Sequence, residues 1–480
     1  MAPPVALSLS AEQQGTRTSR PTARFFGGLG ADELPPGQYH GGHIQEPLMP
    51  AALLSRLSFM MFLQYAIWGA WLPIMYLFLS KHRQFSDVEI GYLFMIGGVG
   101  AVFAPFIAGQ IADRWFNTEK YLALSHIVGG LLVWQLSWLE DYRLFFIFSL
   151  LYSLIYSPTL ALTNSLSFHH LPDRDKQFGK VRLWGTVGWI AVGIGIGQWL
   201  LHAHTPAGVS EAEQLAAQAE GIRDAFRLSA ILGVLMGLYC LTLPKTPPAK
   251  GEKSYAAFEA IAEARRQPLL TLFLIAVPIS CIHQFYFVHT GAFLGSKQVE
   301  IGNVDLAASI NRVFGVGGGG LMTIGQMSEI FVLALIPLVA KKLTRKTLLS
   351  IGIVAYALRM FLFAHVDTLP LPPMVTLIAG VTLHGLVFGC FIFVAFMVVD
   401  EQTTPDVRAS AQSLFGLVVF GVGIIAGSLI AGYVADWARV DGVMDYTRLF
   451  NVPMYAALVC LVLMQVFYPG GRQPVMERKG

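Results

Sequence analysis

The sequence predicts an all-α membrane protein with twelve transmembrane helices arranged in two six-helix halves. Hydrophobic residues make up 54% of the 480 residues and charged residues only 13%, against about 25% charged in ordinary soluble domains. Apolar runs of about 20 residues, the length of a helix that crosses a bilayer, recur along nearly the whole chain after residue 50. An arginine also opens a Gly-rich helix in each half, in VRLWGTVGWIAVGIGIG and in VRASAQSLFGLVVFGVGIIAG.

Charged and Pro/Gly-rich segments divide the apolar runs into twelve predicted helices. The N-terminal half, residues 54–243, contains predicted helices near residues 54–80, 89–112, 120–138, 142–168, 180–201 and 224–243. The C-terminal half, residues 269–468, contains predicted helices near residues 269–295, 317–340, 347–366, 372–399, 408–436 and 449–468. We expect a disordered cytoplasmic leader at 1–53, a cytoplasmic loop at 244–268 and a cytoplasmic tail at 469–480.

The distribution of Lys and Arg predicts the orientation in the membrane. Basic residues concentrate in RWFNTEK, HHLPDRDKQFGK, KKLTRK and the central loop, whereas HVDTLPLPP carries none. Because cytoplasmic loops are enriched in Lys and Arg, both termini are predicted to be cytoplasmic. We expect a monomeric, multi-pass protein of the cell membrane, surrounded by lipid.

Several function classes find no support in the sequence. The four cysteines lie inside apolar runs, where a thiol acts as a small hydrophobe, so we expect neither disulfides nor a metal site. The run GVGGGG at 315–320 lacks the Lys-Ser/Thr that completes a phosphate-binding loop. We expect no enzyme activity, no cofactor and no nucleic-acid partner.

A carboxylate interrupts the apolar stretch LMTIGQMSEIFVLALIPLVA. An ionisable residue in the hydrocarbon region costs about 2.5–3.5 kcal/mol by insertion scales. Glu329 lies about 16 Å from the end of its run, near the bilayer midplane, and Gln326 precedes it by one turn on the same face. Glu329 therefore needs a partner or a water-filled cavity.

The fifth predicted helix carries a second polar face. Arg182, Thr186 and Trp189 follow the spacing i, i+4, i+7 and point the same way. This face predicts one wall of a polar cavity. Arg182 stands near the start of its helix, however, so an arginine that reaches the lipid head groups is the alternative.

Other polar and aromatic residues allow two interpretations each. Gln64 and Trp68 on the first helix suit either a flat polar ligand or ordinary helix packing. Histidine can carry protons near neutral pH, but His283 and His289 are interpreted as packing groups. His384 is the histidine candidate for function.

The segment GQIADRW, at the end of the second predicted helix, resembles the loop motif of major facilitator transporters. In that superfamily a glycine permits close helix contact while an aspartate and a basic residue form a cytoplasmic latch. The resemblance assigns these roles to Gly109, Asp113 and Arg114.

Six further segments resemble the nucleoside:H+ symporter family of the major facilitator superfamily, in the family's order. They are FLQYAIWGAWL, SPTLALTNSLSF, VRLWGTVGW, QMSEIFVLALIP, ALRMFLFA and RASAQSLF. The resemblance covers nearly all of residues 56–468. It implies a substrate site between the halves, formed here by Arg182, Thr186, Trp189, Gln284, Gln326, Glu329, His384 and Phe388.

Three positions depart from the family pattern. Phe287 stands where the family has asparagine, His384 where it has tyrosine, and Gly389 where it has an aspartate that is implicated in binding and coupling. The choice between symport and uniport therefore stays open at the level of the sequence.

The resemblance predicts a secondary transporter that imports nucleosides by proton symport with alternating access. Glu329 is the candidate proton acceptor for coupling, or alternatively a ligand of the ribose. The alternatives are a major facilitator carrier for a sugar or another small polar solute, a nucleoside uniporter, and a receptor that binds without translocating.

Overall fold

The computed structural model describes residues 51–108, 116–247 and 256–471. Within these ranges, twelve long helices follow one another, and we number them α1 to α12. The N-terminal half contains α1 (Ala52–His82), α2 (Asp87–Ile107), α3 (Thr118–Leu136), α4 (Tyr142–His170), α5 (Arg174–Ala203) and α6 (Glu211–Cys240). The C-terminal half contains α7 (Leu269–Ile301), α8 (Gly319–Val339), α9 (Arg345–Ala364), α10 (Pro373–Glu401), α11 (Arg408–Ala438) and α12 (Tyr446–Phe467).

Shorter elements complete the described part of the chain. Two short helices, Ala256–Ala264 and Asp305–Phe314, lie in connections between long helices. The strands β1 (Arg439–Val440) and β2 (Val443–Met444) form an antiparallel hairpin after α11. Three long helices contain π-helical turns, at Phe78–His82, Val387–Phe393 and Leu417–Val422.

Among the described residues, ten helices are long and apolar enough to cross a membrane. The other two long helices, α3 and α6, have more polar sequences and pack tightly on each other. At Gly130 an added Cβ would lie 2.8 Å from the carbonyl oxygen of Ala230, so only glycine allows this approach. The predicted helical membrane fold is confirmed apart from the short hairpin after α11, and twelve crossings stay a prediction.

Most predicted helix bounds lie within a few residues of the observed ones, but α6 begins much earlier than predicted. The segment expected to be a loop up to residue 223 is helical from Glu211. Ser210 and Glu213 form a capping box there, in which each side chain accepts a hydrogen bond from the other residue's backbone N–H. Polarity favoured the loop prediction, whereas the cap and the Ala, Gln and Glu content favour a helix.

Predictions for the leader up to residue 50, the tail from residue 472 and the latch residues Gly109, Asp113 and Arg114 lie outside the described residues. Residues 51–53, predicted as leader, belong to the first helix.

Successive helices alternate in direction, so the loops gather at two ends of the bundle. We call the end at which α1 begins and α12 ends the terminal face, and the other end the opposite face. At the terminal face, Arg345 at the start of α9 forms an ion pair with Glu401 at the end of α10, at 2.5 Å. At the opposite face, the Arg83 guanidinium donates to the Ser137 carbonyl oxygen at 2.8 Å.

The two halves pack closely against each other near the opposite face. An added Cβ at Gly291 of α7 would lie 1.9 Å from the carbonyl oxygen of Pro73 in α1. An added Cβ at Gly91 of α2 would lie 3.0 Å from the Cα of Gly432 in α11. Because glycine lets the backbones touch at both points, this end of the interface between the halves is closed.

Candidate functional site

Glycines bring α8 and α10 together at the depth of Glu329. A Cβ at Gly325 would lie 3.0 Å from the Cβ of His384, and a Cβ at Gly385 would lie 2.4 Å from the Ser328 hydroxyl. The Ser328 hydroxyl also donates to the Thr382 carbonyl oxygen at 2.7 Å. This close contact places the Glu329 carboxylate 3.6 Å from Nε2 of His384.

His384 connects Glu329 to a buried arginine. Nη1 of Arg359 lies 3.2 Å from Nδ1 of His384. Arg359 has no exposed side-chain surface, and its guanidinium lies over the ring of Tyr286, 4.2 Å from the ring centroid. A permanent cation and a carboxylate therefore lie on either side of one imidazole ring.

Aromatic residues of α7 and α9 enclose this group. The Tyr286 and His384 rings stack at 4.8 Å between centroids. The hydroxyl of Tyr356 bonds Nδ1 of His283 at 2.8 Å, and the His283 ring lies 5.8 Å from the ring of His384. We call the set Glu329, His384, Arg359, Tyr286, Tyr356 and His283 the buried charge cluster.

The predicted residues of α5 pack against α1. The Arg182 guanidinium lies over the ring of Tyr65, 4.0 Å from its centroid, in a cation–π contact. Trp189 is buried where Gly69 of α1 allows close approach, since a Cβ at that glycine would lie 2.9 Å from the Trp189 Cα. Thr186, between them on the helix, is partly buried. Arg182 therefore contacts Tyr65 of α1. The ion-pair partner of Glu329 is His384 of α10.

A cavity of about 480 Å³ lies between the two halves. Helices α1, α2 and α4 line it from one half, and α7, α10 and α11 from the other. It extends toward the terminal face, because its lining includes Pro105 near the end of α2 and Gln412 in the first turns of α11. The cavity therefore lies on the side of the bundle away from the closed opposite face.

One predicted residue, Gln284, lines this cavity directly, together with Trp68 and Phe287. Phe287 also contacts the buried charge cluster, since its ring centroid lies 6.2 Å from that of His384. This side chain, at the position where the resemblance implies asparagine, therefore lies between the cavity and the cluster.

Several buried polar atoms of the predicted residues have no hydrogen-bond partner within the described part of the protein. They are Nε of Arg182, Oε1 of Gln284, Oε1 of Gln326 and, nearby, the hydroxyls of Tyr65 and Tyr286. Buried polar groups in proteins are nearly always paired. A polar ligand or an ordered water molecule can satisfy such atoms.

The remaining candidates lie on α8 and α10. Gln326 is buried one turn before Glu329, and the Phe388 ring lies 6.4 Å from the His384 ring. Gly389, where the resemblance implies aspartate, lies in the π-helical turn of α10 and packs on α8. A Cβ at this position would lie 2.6 Å from Cγ1 of Val332, so the side chain of α8 occupies the space that an aspartate needs.

A buried carboxylate also joins the two halves at the opposite face. Asp87, at the start of α2, has 1% of its side chain exposed and forms a two-bond ion pair with Arg439 of β1. The hydroxyl of Tyr76 in α1 also donates a hydrogen bond to Oδ1 of Asp87. The hydrogen bond to Asp87 raises the pKa of Arg439 above its usual value, and burial offsets part of this rise. Arg439 is therefore held as a cation against the other half.

Sequence reasoning missed Arg359 and the pair Asp87–Arg439. The signal for Arg359 was present, because an arginine inside an apolar helix is a functional hypothesis by default. Asp87 resembled an ordinary first-turn acid, and its partner lies 352 residues away along the chain. The packing interpretation agrees with the structure for His289, whose Nε2 lies 3.1 Å from the Ala431 carbonyl oxygen of α11.

Comparisons with known proteins agree with this architecture. The chain is 30% identical over 394 residues to YegT of Escherichia coli strain K12, a protein described as a candidate nucleoside transporter, and the match covers 80% of this chain and 84% of that protein. It is 28% identical over 424 residues to xanthosine permease of the same organism, covering 86% and 95% of the two chains.

Among solved structures, the crystal structure of the nucleoside transporter NupG matches with a TM-score of 0.74 and 24% identity. The match covers 87% of this chain and 100% of NupG, and it supports the major facilitator fold. The family profile described as nucleoside H+ symporter matches residues 51–472. The chain belongs to the nucleoside H+ symporter family of membrane transporters.

Proposed function

We propose that this protein imports nucleosides by proton symport, through alternating access of its two halves. The observation that carries the proposal is the cavity of about 480 Å³ between the halves, next to the buried charge cluster. Small-molecule sites in proteins typically have volumes of about 300–1,000 Å³. Trp68 and Phe287 provide aromatic surfaces for a base, and the amides of Gln284 and Gln412 can bond its polar edge.

The predicted residues take separate roles in this proposal. Arg182, Thr186, Gln284 and Gln326 are the proposed hydrogen-bond partners of the nucleoside. Trp189 and Phe388 are proposed stacking surfaces, and His384 connects the substrate site to the acid. The unpaired buried atoms of Arg182, Gln284 and Gln326 support these assignments.

Glu329 is the proposed proton-coupling residue. Its carboxylate lies about 15 Å along the 21-residue helix α8 and keeps 17% of its side chain exposed. An acid in this position gives up its proton in a hydrated state and holds it in a dry one. The rocking of the two halves can in this way be tied to proton movement.

The orientation proposed from the basic loops makes the terminal face cytoplasmic, with both termini inside. The described conformation is then inward-facing, because the halves meet at the opposite face and the cavity extends toward the terminal face. In the outward-facing state, Gly109, Asp113 and Arg114 are proposed to latch the terminal face. We propose a monomer as the transporting unit, since each half supplies part of one cavity.

Uptake by proteoliposomes tests this function. Radiolabelled uridine or adenosine is supplied under an imposed inward proton gradient, with unlabelled nucleosides or sugars as competitors. We expect accumulation of nucleoside that other nucleosides suppress and sugars do not.

Three other results would each favour a different protein. Sugar accumulation without nucleoside uptake indicates a sugar carrier. Equilibration of nucleoside across the membrane, with neither rate nor final level dependent on the proton gradient, indicates a uniporter. Binding without accumulation or exchange of label indicates a receptor.

A further inference from the structure

Arg359 is a cation inside α9 and has no exposed side-chain surface. None of the proposed steps of transport involves it. Its Nε and Nη2 atoms have no hydrogen-bond partner in the described part of the chain. Its Nη1 atom meets Nδ1 of His384 at 3.2 Å. The arginine is therefore directed at the histidine and not at a carboxylate.

This contact determines where His384 carries its proton. An arginine guanidinium has only donors, so Nδ1 of the imidazole accepts the hydrogen bond and is unprotonated. A neutral imidazole with an accepting Nδ1 carries its hydrogen on Nε2. That nitrogen is the one that lies 3.6 Å from Glu329, so the N–H of the histidine faces the carboxylate.

The groups that face His384 from the other helices leave Glu329 as the proton acceptor of the cluster. Tyr286 and His283 face it from α7, and Tyr356 of α9 lies against His283. His283 has its own partner in Tyr356, with 2.8 Å between Nδ1 and the hydroxyl oxygen. Two neutral phenols, two imidazoles, one guanidinium and one carboxylate make up the cluster.

We propose that Arg359 is a positioning residue for proton coupling, which holds His384 with its hydrogen on Nε2 and thereby directs the incoming proton to Glu329. This inference rests on the proposed role of Glu329 as the coupling acid. In the step itself, hydronium gives a proton to a Glu329 oxygen and leaves as water. The cluster then changes from net zero charge, Arg359 plus Glu329, to one positive charge, and the reverse transfer restores it.

The arginine also keeps His384 from taking up the proton itself. Without the guanidinium, Nδ1 of His384 is free to bind a proton, and an imidazole accepts protons at higher pH than a carboxylate does. Proton-dependent uptake in a variant without the cation should therefore persist to higher pH, by about one pH unit.

The test measures initial uridine uptake in proteoliposomes as a function of external pH, together with uridine exchange in the absence of a proton gradient. Arg359→Gln should retain exchange within a few-fold of the parent and move the midpoint of the pH profile upward by about one unit. Arg359→Lys, which keeps the charge and a donor, should have a midpoint near that of the parent. Arg448→Gln, which removes an exposed cation at the start of α12, is the matched control and should leave the profile unchanged.

Unchanged pH profiles in Arg359→Gln, with exchange intact, overturn the inference. If Arg359→Gln does not fold, His384→Gln and His384→Asn decide, because their amides place a donor near the Nε2 and Nδ1 positions respectively. We expect His384→Gln to keep more proton-driven accumulation than His384→Asn, and equal behaviour of the two overturns the inference. A parent protein without pH dependence, or Glu329→Gln with normal proton-driven accumulation, instead refutes the proposed function.

Discussion

Replacing Asp87 with asparagine is expected to open the opposite face of the transporter. Asp87 of α2 and Arg439 of β1 belong to different halves and form a two-bond ion pair. Opening of the opposite face must separate these residues. The ion pair therefore stabilises the conformation described here and contributes nothing to the conformation in which the halves have parted.

The geometry gives the size of the effect. Truncating one partner of a buried, hydrogen-bonded charge pair costs about 2–5 kcal/mol. Arg439 keeps 29% of its side chain exposed, so water can solvate part of the guanidinium after the change, and we adopt about 2 kcal/mol. Because this cost falls on the closed opposite face alone, the ratio of open to closed molecules should rise by about 30-fold.

Electron–electron distance measurements between two spin labels can follow this change. Lys81, at the end of α1, and Val443, in β2, are exposed and belong to different halves. Each is changed to cysteine after the four native cysteines are replaced by alanine: Cys240, Cys281, Cys390 and Cys460. In Asp87→Asn we expect a longer distance component that grows at the expense of the parent distance.

The matched control is Asp367→Asn. Asp367 pairs with Lys297 at 2.6 Å, but both residues lie in the C-terminal half, so the distance between the halves should stay as in the parent. Identical distance distributions for Asp87→Asn and the parent would refute the reasoning that this ion pair holds the opposite face closed.

Two further changes test the packing of the helices. Gly291→Ala places a Cβ 1.9 Å from the Pro73 carbonyl oxygen, so the opposite face cannot close fully and uridine uptake should fall at least ten-fold. The control Gly195→Ala, whose Cβ meets nothing within 4 Å, should transport normally. Equal uptake rates of the two variants would contradict the close contact at Gly291. Gly389→Asp places its Cβ 2.6 Å from Cγ1 of Val332 and should destabilise the protein by about 1–3 kcal/mol, measured as a lower melting temperature in detergent. The additional change Val332→Ala should recover part of the lost stability. If it recovers none, the strain does not come from the contact with Val332.

The helices were largely predictable because ten of the twelve long helices are apolar enough to cross a membrane by length and composition. Local sequence also contains the glycines that pack α8 against α10, but it does not say which helices will meet. The pairing of Glu329 with His384 depends on that packing, and it joins residues 55 positions apart in different helices.

Sequence alone could have directed attention to Arg359, which interrupts the apolar helix Arg345–Ala364. Its partner could not be inferred, since a cation on α9 can face any of several neighbouring helices. The Asp87–Arg439 pair is even harder to predict from the sequence, because it depends on how the two halves dock and not on either half alone.

The most direct test of proton coupling through Glu329 compares uridine accumulation by the parent and by Glu329→Gln in proteoliposomes with an imposed inward proton gradient. Glutamine keeps the size and the polarity of the side chain but cannot bind or release the proton. We predict that the parent concentrates uridine above the external level, and that Glu329→Gln exchanges uridine across the membrane without concentrating it. Accumulation by Glu329→Gln at the level of the parent would contradict the central claim that this carboxylate couples proton movement to transport.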